Sequence, residues 1–225
     1  MKSCLVAFAI ICTGLFNNSY SQSIIVSAKA GFVYPAGSLE SEIGGMGTGS
    51  IENKFNKYLS IGLNGKFGGA DYKDDKTYIE NDKIIEEREL DIFNSIYAIN
   101  LFSKIFFINT EELVVGIVPE IGYYWCDSHP TIFFTDKKIA EVTSKSYNNT
   151  YAKDIGYGLH LEGQYYLGDR TSITASIGWN NYDTGKSMNK LDLENNWDKK
   201  LDEKTDFLYF EIGICYSLFG KDLWE

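Results

Sequence analysis

Apolar and polar residues alternate with a period of two along most of this chain. In the last such stretch, 205–219, Leu208, Phe210, Ile212, Ile214, Tyr216 and Leu218 fill six consecutive even positions, and Tyr209, Glu211, Gly213, Cys215 and Ser217 stand between them. One face of a strand so built is uniformly apolar and the other polar or small. About ten residues of this kind cross a bilayer as a tilted strand. The pattern returns about eight times, which a single strand of a soluble sandwich would not explain.

The first strand is read over 24–34, with the even residues from Ile24 to Tyr34 on one face and Ser27, Lys29 and Gly31 on the other, stopped by Pro35-Ala36-Gly37. A second strand over 48–55 turns at Asn56-Lys57 and returns over 58–68, where Leu59, Ile61, Leu63 and Phe67 share a face. The stretch 71–89 is too densely charged for hydrocarbon and is expected to be a solvated loop or a strand extension above the bilayer. In the fourth strand, 90–102, the facing is ambiguous. Leu90 and Ile92 favour even positions outward while Phe93, Tyr97, Ile99 and Leu101 favour odd ones, and a β-bulge near Ile92-Phe93 would reconcile the two. A fifth strand over 113–125 places Val115, Ile117, Pro119, Ile121, Tyr123 and Trp125 on one face, and Pro119 predicts a local break in its ladder. After a long connection over 126–153, strands over 154–167 and 171–182 form a hairpin about Gly168-Asp169, and a charged loop over 183–204 leads into the last strand. Shorter and longer connections therefore alternate.

Before the first strand, residues 1–21 read as a cleavable secretory leader. Lys2 is its basic start, 5–16 its apolar core, and Ser19-Tyr20-Ser21 its cleavage site, with Gln22 as the new N-terminus. Cys12 follows Ile10-Ile11 instead of a small residue, which argues against a lipid anchor there. The domain organisation is thus a signal peptide over 1–21 and one β domain over 22–225.

At this point the chain resembles the small outer-membrane β-barrel proteins, the OmpA/OmpX-like eight-stranded barrels and especially the outer-membrane β-barrel domain family of Bacteroidetes. The residues that carry the resemblance are Ser21-Gln22, Lys29-Ala30-Gly31-Phe32, 58–64, Pro119-Glu120-Ile121-Gly122-Tyr123 and 209–219. It implies an all-β fold: an eight-stranded antiparallel up-and-down transmembrane barrel, with short turns and both termini in the periplasm and long loops outside. It also implies outer-membrane lipid and the barrel-assembly machinery as partners. The chain departs from many such barrels in following Phe219 with six more residues.

Composition changes this picture little. A formal charge of -10 and a pI near 4.8 leave no clustered basic face for nucleic acid. A mean hydropathy of -0.21 is compatible with a barrel, whose lipid-facing residues alternate with polar ones. Chemistry is expected inside. By parity the interior receives Lys29, Glu52, Lys54, Lys66, Glu120, His160, Glu162 and Glu211, and eight strands leave room only for a packed polar cluster. Counting from the strand ends pairs Lys29 with Glu52. A gated ion path or proton relay is the functional alternative to a salt-bridged polar core.

No catalytic residue, metal site or cofactor is expected. Cys126-Asp127-Ser128-His129 sets Ser, His and Asp side by side in sequence, which is not how a triad is assembled in space. Two histidines and two mature cysteines in distant segments lack metal-site spacing, and Cys126 and Cys215 fall toward opposite ends of the barrel, against a disulfide. Tyr34, Tyr58, Tyr123, Trp125, Tyr165, Trp179 and Tyr216 fall near strand ends, as interfacial aromatics do. The expected role is a non-enzymatic surface barrel that supports the envelope or binds an extracellular ligand through its loops. Two alternatives are an enzyme acting on lipid or peptide at the outer rim and a soluble lipocalin-like carrier. The second lacks the Gly-x-Trp opening of that family, since Phe32 and Val33 follow Gly31.

Overall fold

In a computed structural model of the protein, the residues described are 23–36, 42–80, 83–137, 139, 141–193, 197, 201 and 206–219. The leader over 1–21 and the tail over 220–225 lie outside them. The alternating segments become β1 (Ser23–Ala36), β2 (Gly44–Asn56), β3 (Leu59–Glu80), β4 (Lys83–Asn109), β5 (Leu113–Asp136), β6 (Glu141–Ser146), β7 (Thr150–Tyr166), β8 (Thr171–Asn180) and β9 (Asp206–Phe219). A one-turn helix, α1 (Gly185–Met188), lies in the last connection.

Eight of these strands form a closed ring. Each pairs antiparallel with its neighbours in the order β1-β2-β3-β4-β5-β7-β8-β9, and β9 returns to β1. Closure pairs the spanning strands on both sides, the condition for backbone in lipid, except for the part of β7 before Gly158, which β8 does not reach. The short ninth strand, β6, has no counterpart in the sequence reading; it pairs with β5 over Thr131–Asp136, above the stretch that β7 pairs.

The apolar faces point outward. Phe32, Phe210, Ile212, Ile214, Ile121, Leu159 and Ile177 are all exposed, whereas Glu211, Thr174 and Asn100 between such positions are buried. This is the inverse of a soluble carrier, which keeps its apolar side chains inside. On β7 the belt runs from Ile155 to Tyr165, about the ten residues of tilted strand that span hydrocarbon. Aromatics mark its outer rim, where Tyr123 meets Trp125 and Tyr157 meets Trp179 edge to face at 5.2 and 5.4 Å.

Three strands are far longer than a bilayer needs. β8 has 10 residues, but β3, β4 and β5 have 22, 27 and 24. The turns at Lys57-Tyr58, 110–112 and 167–170 lie at the other end, so the excess projects beyond the aromatic rim as a four-stranded sheet of β3, β4, β5 and β6. The charged stretch 71–89 is thus a strand extension, in which β3 and β4 stay paired as far as Glu80 and Lys83. The expected long connection over 126–153 is instead the end of β5, β6 and the start of β7. Charge excludes these residues from lipid, not from a solvated sheet.

Other expectations shift as well. The first tight turn is Lys57-Tyr58 instead of Asn56-Lys57. β4 needs no bulge at Ile92-Phe93: its register against β3 and β5 runs unbroken there, with Ile92 opposite Tyr72 and Pro130. Even residues of β4 from Leu90 to Phe106 are buried inside, up to a register shift between Phe106 and Ile108, and Leu90 and Ile92 are apolar because they lie under an apolar cap. Met188, Leu193, Trp197 and Leu201 from the last connection bury against them, with Tyr72 and Ile132. Pro119 does interrupt a ladder. β5 pairs with β4 on either side of it but not across Ser103 and Lys104, while its pairing with β7 continues through Leu159. A proline has no N–H to offer one neighbour, and the register holds regardless.

Candidate functional site

The interior is organised in layers. Beneath the apolar cap lies a second apolar cluster of Val33, Ala70, Ile96, Ala98, Tyr124, Cys126, Tyr182, Phe207 and Tyr209. Below that the inward residues turn polar and charged. Lys29, Glu52, Lys54, Lys66, Glu120, His160, Glu162 and Glu211 all point inward; the Lys29 side chain is 6% exposed and the other seven residues are buried.

Their partners differ from the sequence expectation in one respect. Lys29 does not pair with Glu52. The register sets Lys29 opposite Thr48 and Glu52 opposite Ile25, four residues nearer the periplasmic end. Lys29 Nζ instead crosses the lumen to Glu162 Oε2 on β7 at 2.8 Å. Glu52 accepts from Lys104 Nζ at 2.9 Å and from Ser60 at 3.0 Å. Lys104 also reaches Glu162 Oε1 at 2.6 Å.

Lys104 is the central residue that sequence reading misses, because the fourth strand, read over 90–102, stops short of it. Continuing the parity Ile96, Ala98, Asn100, Phe102 by one step places it inside. It also balances the interior: four lysines (29, 54, 66, 104) face four glutamates (52, 120, 162, 211).

A second group continues the network upward. Lys66 is ion-paired to Glu120, whose other oxygen accepts from Asn64 at 2.8 Å. Asn100 donates to Asn64 at 2.8 Å and to Tyr182 at 2.9 Å. With its amide nitrogen turned to the carboxylate, Asn180 donates to Glu120 Oε1 at 2.8 Å. Tyr209 links the groups, with its hydroxyl 3.2 Å from Lys66 Nζ and 2.7 Å from His160 Nδ1. His160 Nε2 lies 3.8 Å from Glu162 Oε2. Glu211 accepts from Thr48 and Ser176. Lys54 lies over the Phe106 ring at 5.8 Å.

Free volume among these groups is small. The cavity bounded by Lys29, Asn64, Lys104, His160 and Glu162 measures about 10 Å³, no more than one water. Charges at such depth are tolerated where carboxylates meet lysines or hydrogen-bond donors and lysines meet carboxylates, as Lys29, Lys66 and Lys104 do.

The segment 126–129 divides between faces. Cys126 and Ser128 are buried inside, and Ser128 bonds Asn94 and Ser187 at 2.6 Å. His129 is on the outer face, 6.3 Å from the Phe93 ring. Ser128 and His129 therefore cannot act as nucleophile and base together. Cys126 and Cys215 are free thiols in separate clusters. Among the described residues no group of acidic, His and Cys side chains could hold a metal.

A closed antiparallel ring with an apolar exterior, aromatic rim and charged, paired interior defines the class: a small outer-membrane β-barrel protein. No family model and no curated protein matches the chain in sequence. Among solved structures it is similar to Neisserial surface protein A (14% identity, 88% of this chain and 100% of that one, TM-score 0.46). A major outer membrane protein of Thermus thermophilus is similar at 14% identity (87% and 99% covered, TM-score 0.47). So is Ail, the attachment invasion locus protein of Yersinia pestis, at 15% (87% and 97% covered, TM-score 0.36). The class assignment rests on the strand ring and the belt, not on these likenesses.

Proposed function

We propose that this protein is a non-conducting, non-enzymatic surface barrel that carries a rigid sheet outside the outer membrane for recognition, the barrel serving as its anchor in the envelope. The observation that carries this reading is the length of β3, β4 and β5, whose 22, 27 and 24 residues project past the belt as one paired sheet. A pore needs a lumen, and the cavity among Lys29, Lys104 and Glu162, with room for about one water, supports a closed one. Binding residues are commonly displayed on segments held by a rigid scaffold. In sequence, 71–91 holds nine acidic against four basic residues, which favours a basic partner. In this reading a leader ending at Ser21 is removed on export and the barrel-assembly machinery inserts the mature chain.

Two measurements test it. Trypsin added to intact cells should cut in the projecting sheet, at Lys76 or Arg88, and leave the membrane ring whole. Protein reconstituted in planar bilayers should give no unitary conductance. Protection of the sheet on intact cells would contradict the display reading, and steady single-channel steps would contradict the closed lumen.

A further inference from the structure

The barrel wall has one irregular place. β8 ends at Asn180, opposite Gly158, so β7 from Thr150 to Tyr157 has no strand on that side among the described residues. The segment 181–190, which holds α1, lies over this edge. It is held by Asn181 N donating to Tyr157 O at 2.9 Å, Thr150 Oγ1 donating to Ser187 O at 2.7 Å and Lys190 Nζ donating to Tyr151 O at 2.8 Å. The two do not close completely. A cleft of about 720 Å³ remains between them, bordered by Asn149, Tyr151, Lys153, Lys186, Asn189 and Lys190.

Three of those six residues are lysines, on a chain whose formal charge is -10. Lys186 forms an ion pair with Asp154, and Lys190 lies 5.6 Å over the Tyr151 ring. Lys153 is exposed on the lipid-facing side of β7, two residues above Ile155. Asp154, Asp183, whose charge also acts on Lys186, and, on the neighbouring strand opposite Tyr151, Asp127 are acidic groups nearby.

Height decides what an anion here would be. Lys153 stands opposite Trp125 of β5, which belongs to the aromatic rim, and the belt begins at Ile155. Trp and Tyr mark the headgroup level. The cleft therefore opens sideways at the depth of outer-leaflet headgroups, with apolar wall for acyl chains directly beneath. We propose that it is a binding site for a phosphorylated lipid headgroup of the outer leaflet, the phosphate held by Lys153, Lys186 and Lys190 and the acyl chains lying along Ile155 and Tyr157.

The test uses the full mature barrel in phosphatidylcholine nanodiscs, with and without a lipid bearing a phosphate monoester (phosphatidic acid or lipid A), released in the gas phase and weighed with its retained lipid. The wild type should keep one phosphomonoester lipid in preference to phosphatidylcholine. Replacing Lys153, Lys186 and Lys190 together by Gln should cut that retention at least about tenfold, since each lysine at an anionic surface contributes roughly fivefold. A control that removes as much charge from the projecting sheet, Lys73→Gln, Lys76→Gln and Lys137→Gln, should retain lipid within about twofold of wild type, as Lys73 and Lys76 stand on β3, with β4 and β5 between it and β7, and Lys137 follows the far end of β5. Both triple variants must first show the compact, unheated gel mobility of a folded barrel, and single Lys153→Gln replaces the triple if that fails. Equal retention by the cleft variant, or no preference over phosphatidylcholine, would overturn the proposal. So would displacement of the lipid by millimolar inorganic phosphate, which would make the cleft a site for the free anion.

Discussion

The ammonium of Lys104 lies 2.6 Å from Oε1 of Glu162, the same carboxylate that Lys29 holds from across the lumen at 2.8 Å. Lys104 also serves Glu52, so one cation supports two buried carboxylates, whereas Lys29 supports one that has a second cation. Breaking a buried pair from one side costs about 3–5 kcal/mol. Lys104→Met should therefore lower the urea midpoint of the barrel in detergent by much more than Lys29→Met. Adding Glu52→Gln to Lys104→Met should recover part of the loss. Equal losses for the two lysines would contradict the shared role of Lys104.

β4 makes a second prediction. Phe93 and Tyr97 face outward, Tyr97 at the aromatic rim opposite Trp125 and Phe93 above it, while Ile92 and Ile96 are buried, in one unbroken register. A spin label on Tyr97→Cys should be accessible to dissolved oxygen in bilayers and one on Phe93→Cys to a water-soluble relaxant, while labels on Ile92→Cys and Ile96→Cys should be shielded from both. A bulge at 92–93 would put 92 and 97 on the same face, and the pattern would reverse at that point. Ile92→Ser should cost about 2–4 kcal/mol through the emptied site and a buried hydroxyl.

This strand also shows how far the sequence can be read. Parity is enough to place the outward belt and all eight inward charged residues, because lipid on one side and a narrow lumen on the other sort side chains strictly by face. Parity fails where that sorting relaxes. Leu90 and Ile92 sit above the bilayer, where the inner face meets an apolar cap, so their hydrophobicity no longer signals outward. Pairing across the lumen is not legible either. Lys29 and Glu162 are 133 residues apart in sequence and meet only because register and closure bring β1 and β7 face to face.

Asp91 tests the projecting sheet through pH. Burial of its carboxyl and the neighbouring Asp71 raise its pKa above the usual 3.8, against the smaller effect of Lys73. A raised carboxyl binds its proton more tightly in the folded chain. It therefore contributes stability below the unfolded pKa and loses that contribution as pH rises through the folded value. At pH 7 the charge is a small liability, limited by solvent screening because the group is only partly buried. Asp91→Asn should raise the thermal midpoint slightly at pH 7 and reduce the gain that wild type shows on acidification toward its raised pKa. A lower midpoint for the variant at pH 7 would mean that the Lys73 attraction prevails.

Two glycines of β7 separate the lumen from the lipid side. Gly158 faces inward, and a Cβ there would collide with the Asn180 amide, the Glu120 carboxylate and the Trp179 carbonyl. Gly163 faces lipid, and a Cβ there meets nothing within 4 Å. The close approach at Gly158 lets Asn180 reach Glu120 at 2.8 Å, so a methyl group would push apart the donor set of a buried carboxylate. Forcing atoms into a filled interior costs about 1–3 kcal/mol, and a weakened hydrogen bond to a buried charge adds to that. Gly158→Ala should thus unfold at clearly lower urea, while Gly163→Ala, which adds apolar surface toward hydrocarbon and removes backbone freedom from the unfolded chain, should be neutral or mildly stabilising. Equal midpoints for the two variants would mean that the polar interior yields to a methyl group and is not closely packed around Glu120.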